Sequence, residues 1–137
     1  MAVWIQILPG TNEPIYSQIV EQIRQAMAKG QLGIGEKLPA VRKLASELVI
    51  NPNTVAKAYT LLEQTGLVMT KAGSGTFVAD PKMRTADPAD MNILAERIDS
   101  IISRAINIGL SREDLIKMFN DKVNTFFGDR RIRMESR

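Results

Sequence analysis

No cysteine and no histidine occur among the 137 residues. Without thiols there can be neither a disulfide nor a thiolate metal site, and nothing in the residue usage argues for secretion. Without imidazole the chain lacks the commonest general base and the commonest metal ligand. An enzyme would have to work with carboxylates or lysines, and no cluster of these stands out. The expectation is a protein without catalytic activity, cofactor or metal. Long apolar runs are missing too. None approaches the roughly 18 residues of a membrane span, and the first residues lack a signal-peptide pattern. A cytoplasmic location with no membrane partner is therefore expected. A strong charge imbalance is also absent. The net charge is +3, and residues 1–80 carry seven Lys/Arg against six Asp/Glu, the remainder eleven against nine. Such a balance is compatible with a nucleic-acid partner but does not point to one. What is present is an ordinary globular composition, 45% hydrophobic and 24% charged, with room for one compact domain or a small domain and an appendage.

The informative stretch is Leu38 to Tyr59, LPAVRKLASELVINPNTVAKAY. Val41, Leu44, Ala45 and Leu48 fall at i, i+3, i+4, i+7, the spacing of one buried helix face. Val55, Ala58, Tyr59 and Leu62 repeat it. Between the two runs, Asn51 suits an N-cap and Pro52 the first helical position, where no backbone N–H is needed. Two short helices so sharply separated predict a helix-turn-helix, whose second helix enters the DNA major groove.

The flanking segments extend this pattern. Val3-Trp4-Ile5-Gln6-Ile7 alternates, and is either a small strand or an extended arm lying on the core. Pro14 then starts a helix with Ile15, Ile19, Ile23 and Met27 on one stripe, widened by Val20 and Ala26 and ended by Gly30. A Gly-rich connector, Gln31 to Lys37, leads into the motif, and Gly66 closes its second helix. Leu67–Lys71 and Thr76–Ala79 read as two strands around Ala72-Gly73-Ser74-Gly75, a hairpin that forms a wing. The order helix, helix, helix, hairpin makes residues 1–80 a winged helix-turn-helix domain.

Residues 81–88 are polar, with prolines and no periodicity, and read as a linker. Asp87 and Pro88 then begin a helix whose stripe is Met91, Leu94, Ala95, Ile98, Ile101, Ile102, Ala105 and Ile108, running to Gly109. Ser111 caps another, with Leu115, Ile116, Phe119, Val123, Phe126 and Phe127 apolar and Gly128 at its end. Residues 129–137 form a charged tail. A two-helix hairpin over 89–128 cannot cover so wide an apolar surface by itself. A second copy of the chain is the simplest cover, with Leu94, Ile98, Ile101, Ile102, Leu115, Phe119 and Val123 in the interface. The alternative is that both helices fold back onto their own winged helix. The predicted fold class is mainly α with a small β-wing: an N-terminal winged helix-turn-helix and a two-helix C-terminal dimerisation hairpin.

Four blocks in unbroken order, PIYSQI, GEKLPAVRKLA, NPNTVAKAY and GSGTFV, resemble the GntR family of bacterial transcription regulators over about residues 14–79. The two-helix tail is similar to that of the short YtrA-like subgroup, which dimerises through those helices. The chain departs from much of the family in having Ala40 for serine, and Pro52, Ala56 and Lys71 for arginine, the usual bidentate reader of guanine. The resemblance implies a sequence-specific DNA-binding transcription regulator, dimeric, acting as a repressor on a palindromic double-stranded operator. Nothing in the sequence identifies a small-molecule effector. Arg42, on the exposed side of the first motif helix, is expected to meet DNA. Asn53 and Thr54 occupy the first turn of the recognition helix, where Asn53 either reads adenine, bonds phosphate or serves the cap. Lys57, one turn on, and Lys71 in the wing are expected on phosphate, and Gly73, Ser74, Gly75 and Thr76 at the tip complete the candidate footprint. A winged helix that binds protein instead of DNA is the alternative from another class. The polar groove-facing positions and the scarcity of aromatics stand against it.

Overall fold

The computed structural model describes residues 5–80 and 88–135, with side chains through residue 128. Val3, Trp4 and residues 81–87, and with them most of the expected linker and the Asp87 cap, lie outside the described residues. The elements are α1 (Ile15–Ala28), α2 (Val41–Leu48), α3 (Pro52–Gln64), β1 (Val68–Lys71), β2 (Gly75–Val78), α4 (Pro88–Asn107) and α5 (Arg112–Glu135). A buried apolar cluster joins α1, α2, α3 and the hairpin, with Ile19, Ile23, Leu44, Val55 and Leu62 at its centre. Every member of that cluster lies between Ile5 and Val78. The periodic positions that predicted the three helices are the ones that fill it.

Of the two forms considered for the N-terminal segment, the extended arm is the one observed. Gln18 and Gln22, one turn apart on α1, treat it as a neighbouring strand would. The Gln22 carboxamide accepts from Gln6 N at 2.9 Å and donates to Gln6 O at 2.7 Å. Gln18 Oε1 accepts from Leu8 N at 2.9 Å, and its Nε2 donates to Leu8 O, Thr11 Oγ1 and Glu13 O. Gln18 is buried, so these bonds satisfy a polar group that would otherwise be costly to bury. Ile5 is thereby held in the core.

The helix-turn-helix forms as the caps dictate. The Asn51 side chain accepts from Asn53 N at 2.8 Å, and Pro52 takes the first helical position of α3. The hydroxyl of the buried Tyr59 donates to Pro39 O at 2.7 Å, tying the entry of α2 to the middle of α3. Burial pushes that phenol above its ordinary titration range. β1 and β2 pair antiparallel in the register Val68↔Val78, Met69↔Phe77, Thr70↔Thr76, Lys71↔Gly75. The Gly-rich connector is more ordered than its composition predicts. It runs along the other edge of β2, with Gly35 N donating to Val78 O, Val78 N to Glu36 O and Leu38 N to Thr76 O, at 2.8–2.9 Å. Backbone pairing of this kind needs no side-chain pattern, which is why the sequence read as a loop.

Two differences concern the C-terminal helices. The expected end at Gly128 does not occur, because α5 continues to Glu135 through residues first read as tail. A glycine inside a helix costs only about 1 kcal/mol, and the arginines, Met and Glu that follow it are good helix formers. The fold-back alternative is met in part: α5 packs against α1, with Lys29 Nζ 4.8 Å from the centre of the Phe126 ring. That contact leaves most of the apolar side chains of α4 and α5 exposed.

Candidate nucleic-acid interface

The first turn of α3 is an exposed, polar helix N-terminus. Its cap is Asn51, so the Asn53 side chain is released from the capping role that was one of its readings. Among the described residues the Asn53 side chain has no hydrogen-bond partner, and Asn53 is exposed. Thr54 is half-buried beside it. Lys57, one turn further, is exposed, and its Nζ lies 3.9 Å from the centre of the Tyr16 ring. A cation over an aromatic face is attracted by the ring quadrupole, so α1 helps to aim the ammonium. Arg42 and its neighbour Lys43 are exposed on α2, opposite the buried Leu44 and Ala45.

The wing gathers the second group. Ser74 N donates to Lys71 O at 3.0 Å, and Gly73 has φ +77°, the third-position conformation of a type II turn. A methyl group on Gly73 would meet nothing, so that glycine serves the backbone conformation. Gly75 is different. A Cβ there would lie 2.6 Å from Lys37 Cε, because the Lys37 side chain crosses the strand at that point. Lys71 is exposed, with Nζ 5.1 Å from the centre of the Phe77 ring.

Alternation along the strands separates Thr76 from this group. Thr70 and Thr76 share one face, their hydroxyls 3.3 Å apart, while Lys71, Gly75 and Phe77 share the other. Thr70 N bonds to Glu63 Oε2 at 3.0 Å, so the threonine row adjoins the end of α3. Lys37 and Lys43 were missed by the sequence reading. The available signal was local charge: residues 37–71 hold five Lys/Arg and two Asp/Glu, a bias hidden when residues 1–80 are counted together.

The expected interface residues Leu94, Ile98, Ile101, Ile102, Phe119 and Val123 are all exposed, and Leu115 is half-buried. Leu115 faces α4 across a groove of about 480 Å³, together with Ile101, Ala105, Ile108, Leu110 and Met118. No group of acidic side chains that could hold a metal ion occurs among the described residues, and no described helix is long and apolar enough to cross a membrane.

The arrangement is shared with known proteins. Residues 15–78 match the family described as bacterial regulatory proteins, gntR family. The chain is similar to the HTH-type transcriptional repressor YtrA of Bacillus subtilis (strain 168), 39% identical over 81% of this chain and 85% of that protein. Among solved structures it resembles a transcriptional antiterminator from Listeria monocytogenes EGD-e, with a TM-score of 0.78 at 32% identity over 86% of this chain and 88% of that one. It also resembles YtrA from Sulfolobus acidocaldarius, a GntR-family transcription factor, with a TM-score of 0.53 at 34% identity over 88% of this chain and 97% of that one. With the helix-turn-helix and wing in place and relatives matched over most of their length, the chain belongs to the GntR family and is a DNA-binding transcription regulator.

Proposed function

We propose that this regulator is a cytoplasmic, non-enzymatic homodimer that represses transcription by occupying a two-fold symmetric operator. Repression by steric blocking needs nothing beyond binding, and the similar Bacillus subtilis protein is described as a repressor. The observation that carries the assembly is the apolar surface of α4 and α5. Leu94 is 54% exposed, Ile101 53% and Phe119 53%, and Met91, Ile98, Ile102 and Val123 are exposed around them. Apolar faces of this width are interaction sites in soluble proteins. A two-fold axis lets one such face cover its own copy. The same axis would present two α3 helices to successive major grooves, at half-sites about 34–36 Å apart.

In each head, Asn53, Thr54 and Arg42 are the candidates for base edges, and Lys57 and Lys71 for phosphates. Binding should therefore weaken steeply as salt rises, because each neutralised phosphate releases counterions. Gel shifts against DNA from the promoter of its own gene, with sedimentation of the free protein, test both halves of the proposal. Equal affinity for all sequences would remove the operator, and a monomer at micromolar concentration would remove the dimer.

A further inference from the structure

Lys37 belongs to none of the elements that make up a helix-turn-helix or its hairpin. It sits in the connector before α2, yet its backbone bridges Phe77 of β2 and its neighbour Leu38 bonds to Thr76 O. Directly opposed residues in antiparallel pairing project to the same face. The Lys37 side chain therefore joins Lys71, Gly75 and Phe77 on one face of the wing. It runs toward the tip: a methyl on Gly75 would sit 2.6 Å from Lys37 Cε and 3.4 Å from its Nζ. Phe77 is half-buried, and Lys71 reaches over its ring from the other strand. Neither Lys37 nor Lys71 forms an ion pair with a described residue. One exposed ammonium thus sits over the Phe77 ring, and a second, from a separate segment, lies beside Gly75 at a tip without bulk.

We propose that Lys37 is a DNA-phosphate contact, its stem lying across the open face of Gly75. The proposal rests on the DNA-binding reading of the head and adds a contact from outside the motif. Lys71 and Lys37 then grip the sugar–phosphate backbone from the two edges of β2, the one steadied over the Phe77 ring and the other laid across Gly75. Phosphate contacts carry no sequence information but fix the register of the reading helix. The role of Lys37 is to set how the wing seats, and through it where the first turn of α3 lies in the groove.

The test uses the full chain and a fluorescent 30-base-pair duplex of random sequence, with anisotropy titrations across a salt series. Lys37→Met keeps the stem over Gly75 and deletes the charge. It should lower the slope of log affinity against log salt by about 0.9 per bound head. Between 50 and 200 mM salt the gap between parent and variant should accordingly narrow about 3.5-fold per head. Lys37→Arg should restore the parent slope, and Lys37→Met with Lys71→Met should lose about twice as much as either alone. Lys29→Met, with its cation beside Phe126 on α5, is the control and should keep the parent slope. Parent-like slope in Lys37→Met, with the parent itself salt-dependent, overturns this inference and leaves the DNA reading standing. A parent that does not bind duplex at all overturns both.

Discussion

Val49 offers a prediction that can be worked from the backbone alone. It ends α2 with φ 56° and ψ 52°, in the left-handed region, and Ile50 N closes the turn onto Ala45 O at 3.0 Å. The ends of α1, α3 and α4 use the same closure, and there the left-handed residue is Gly30, Gly66 and Gly109. A side chain in that conformation costs about 1–2 kcal/mol, and a β-branched one sits at the unfavourable end. Replacing Val49 by glycine removes the strain but frees the unfolded chain, which returns about 0.4–1 kcal/mol. Little burial is lost, because Val49 is 88% exposed. The net expectation for Val49→Gly is a gain of about 0.5–1 kcal/mol, or about 3–6 °C in Tm for a domain of this size. Urea and thermal unfolding followed by circular dichroism would measure it. Val49→Ala, which shortens the side chain but keeps the Cβ, should gain clearly less. Equal effects of alanine and glycine, or a loss with glycine, would refute the assignment of strain to this φ.

The remaining predictions concern binding, the arm and assembly. Arg42→Ala should weaken binding to a selected operator by about 1–3 kcal/mol if the guanidinium reads a base; unchanged affinity in a titration would take Arg42 out of the footprint. Gln18→Leu strips the arm of its bonds to Leu8, Thr11 and Glu13 and should cost about 1–3 kcal/mol in urea unfolding, with stability equal to the parent as the contrary result. Residues 1–80 alone contain the whole buried cluster, so they should fold as a monomer and bind the operator much more weakly; a dimer of that fragment in sedimentation would contradict the interface on α4 and α5.

How far the sequence could be read depended on whether side chains or backbone made the decision. The three helices of the head and their caps were legible because Val41, Leu44, Val55 and Leu62 must face a core, and because Asn51-Pro52 can do little else than start a helix. The hairpin was legible from its glycines, and its strands begin and end within one residue of the expected bounds. The third pairing partner of the wing was not, since Gly35 to Leu38 bond through backbone atoms that carry no residue-type signature. Lys37 was missed for that reason: in sequence it belongs to a loop, and only the pairing with β2 brings it to the wing. The end of α5 was misplaced because a glycine is a strong stop only where the next residues can turn away. Here they are helix formers and the helix runs on. Of the candidate site, Asn53, Thr54 and Lys57 follow from α3 itself, whereas the separation of Thr76 from Lys71 depends on strand alternation across a turn of known length.

The same connector also bears on how the head works as a unit. On one side, Gly35, Glu36 and Leu38 pair with β2; on the other, Pro39 O receives the hydroxyl of Tyr59 from the middle of α3. Glu63, near the end of α3, holds Thr70 N of β1. The reading helix and the wing are therefore joined by hydrogen bonds at both ends of the contact between them, through a buried tyrosine and a short backbone ladder. A head braced in this way has little freedom to change the angle between helix and wing. In the proposed dimer, differences in operator affinity between bound states would then arise from the placement of one head relative to the other. In that dimer α4 and α5 would set the placement, through the Lys29–Phe126 contact that leans α5 on α1.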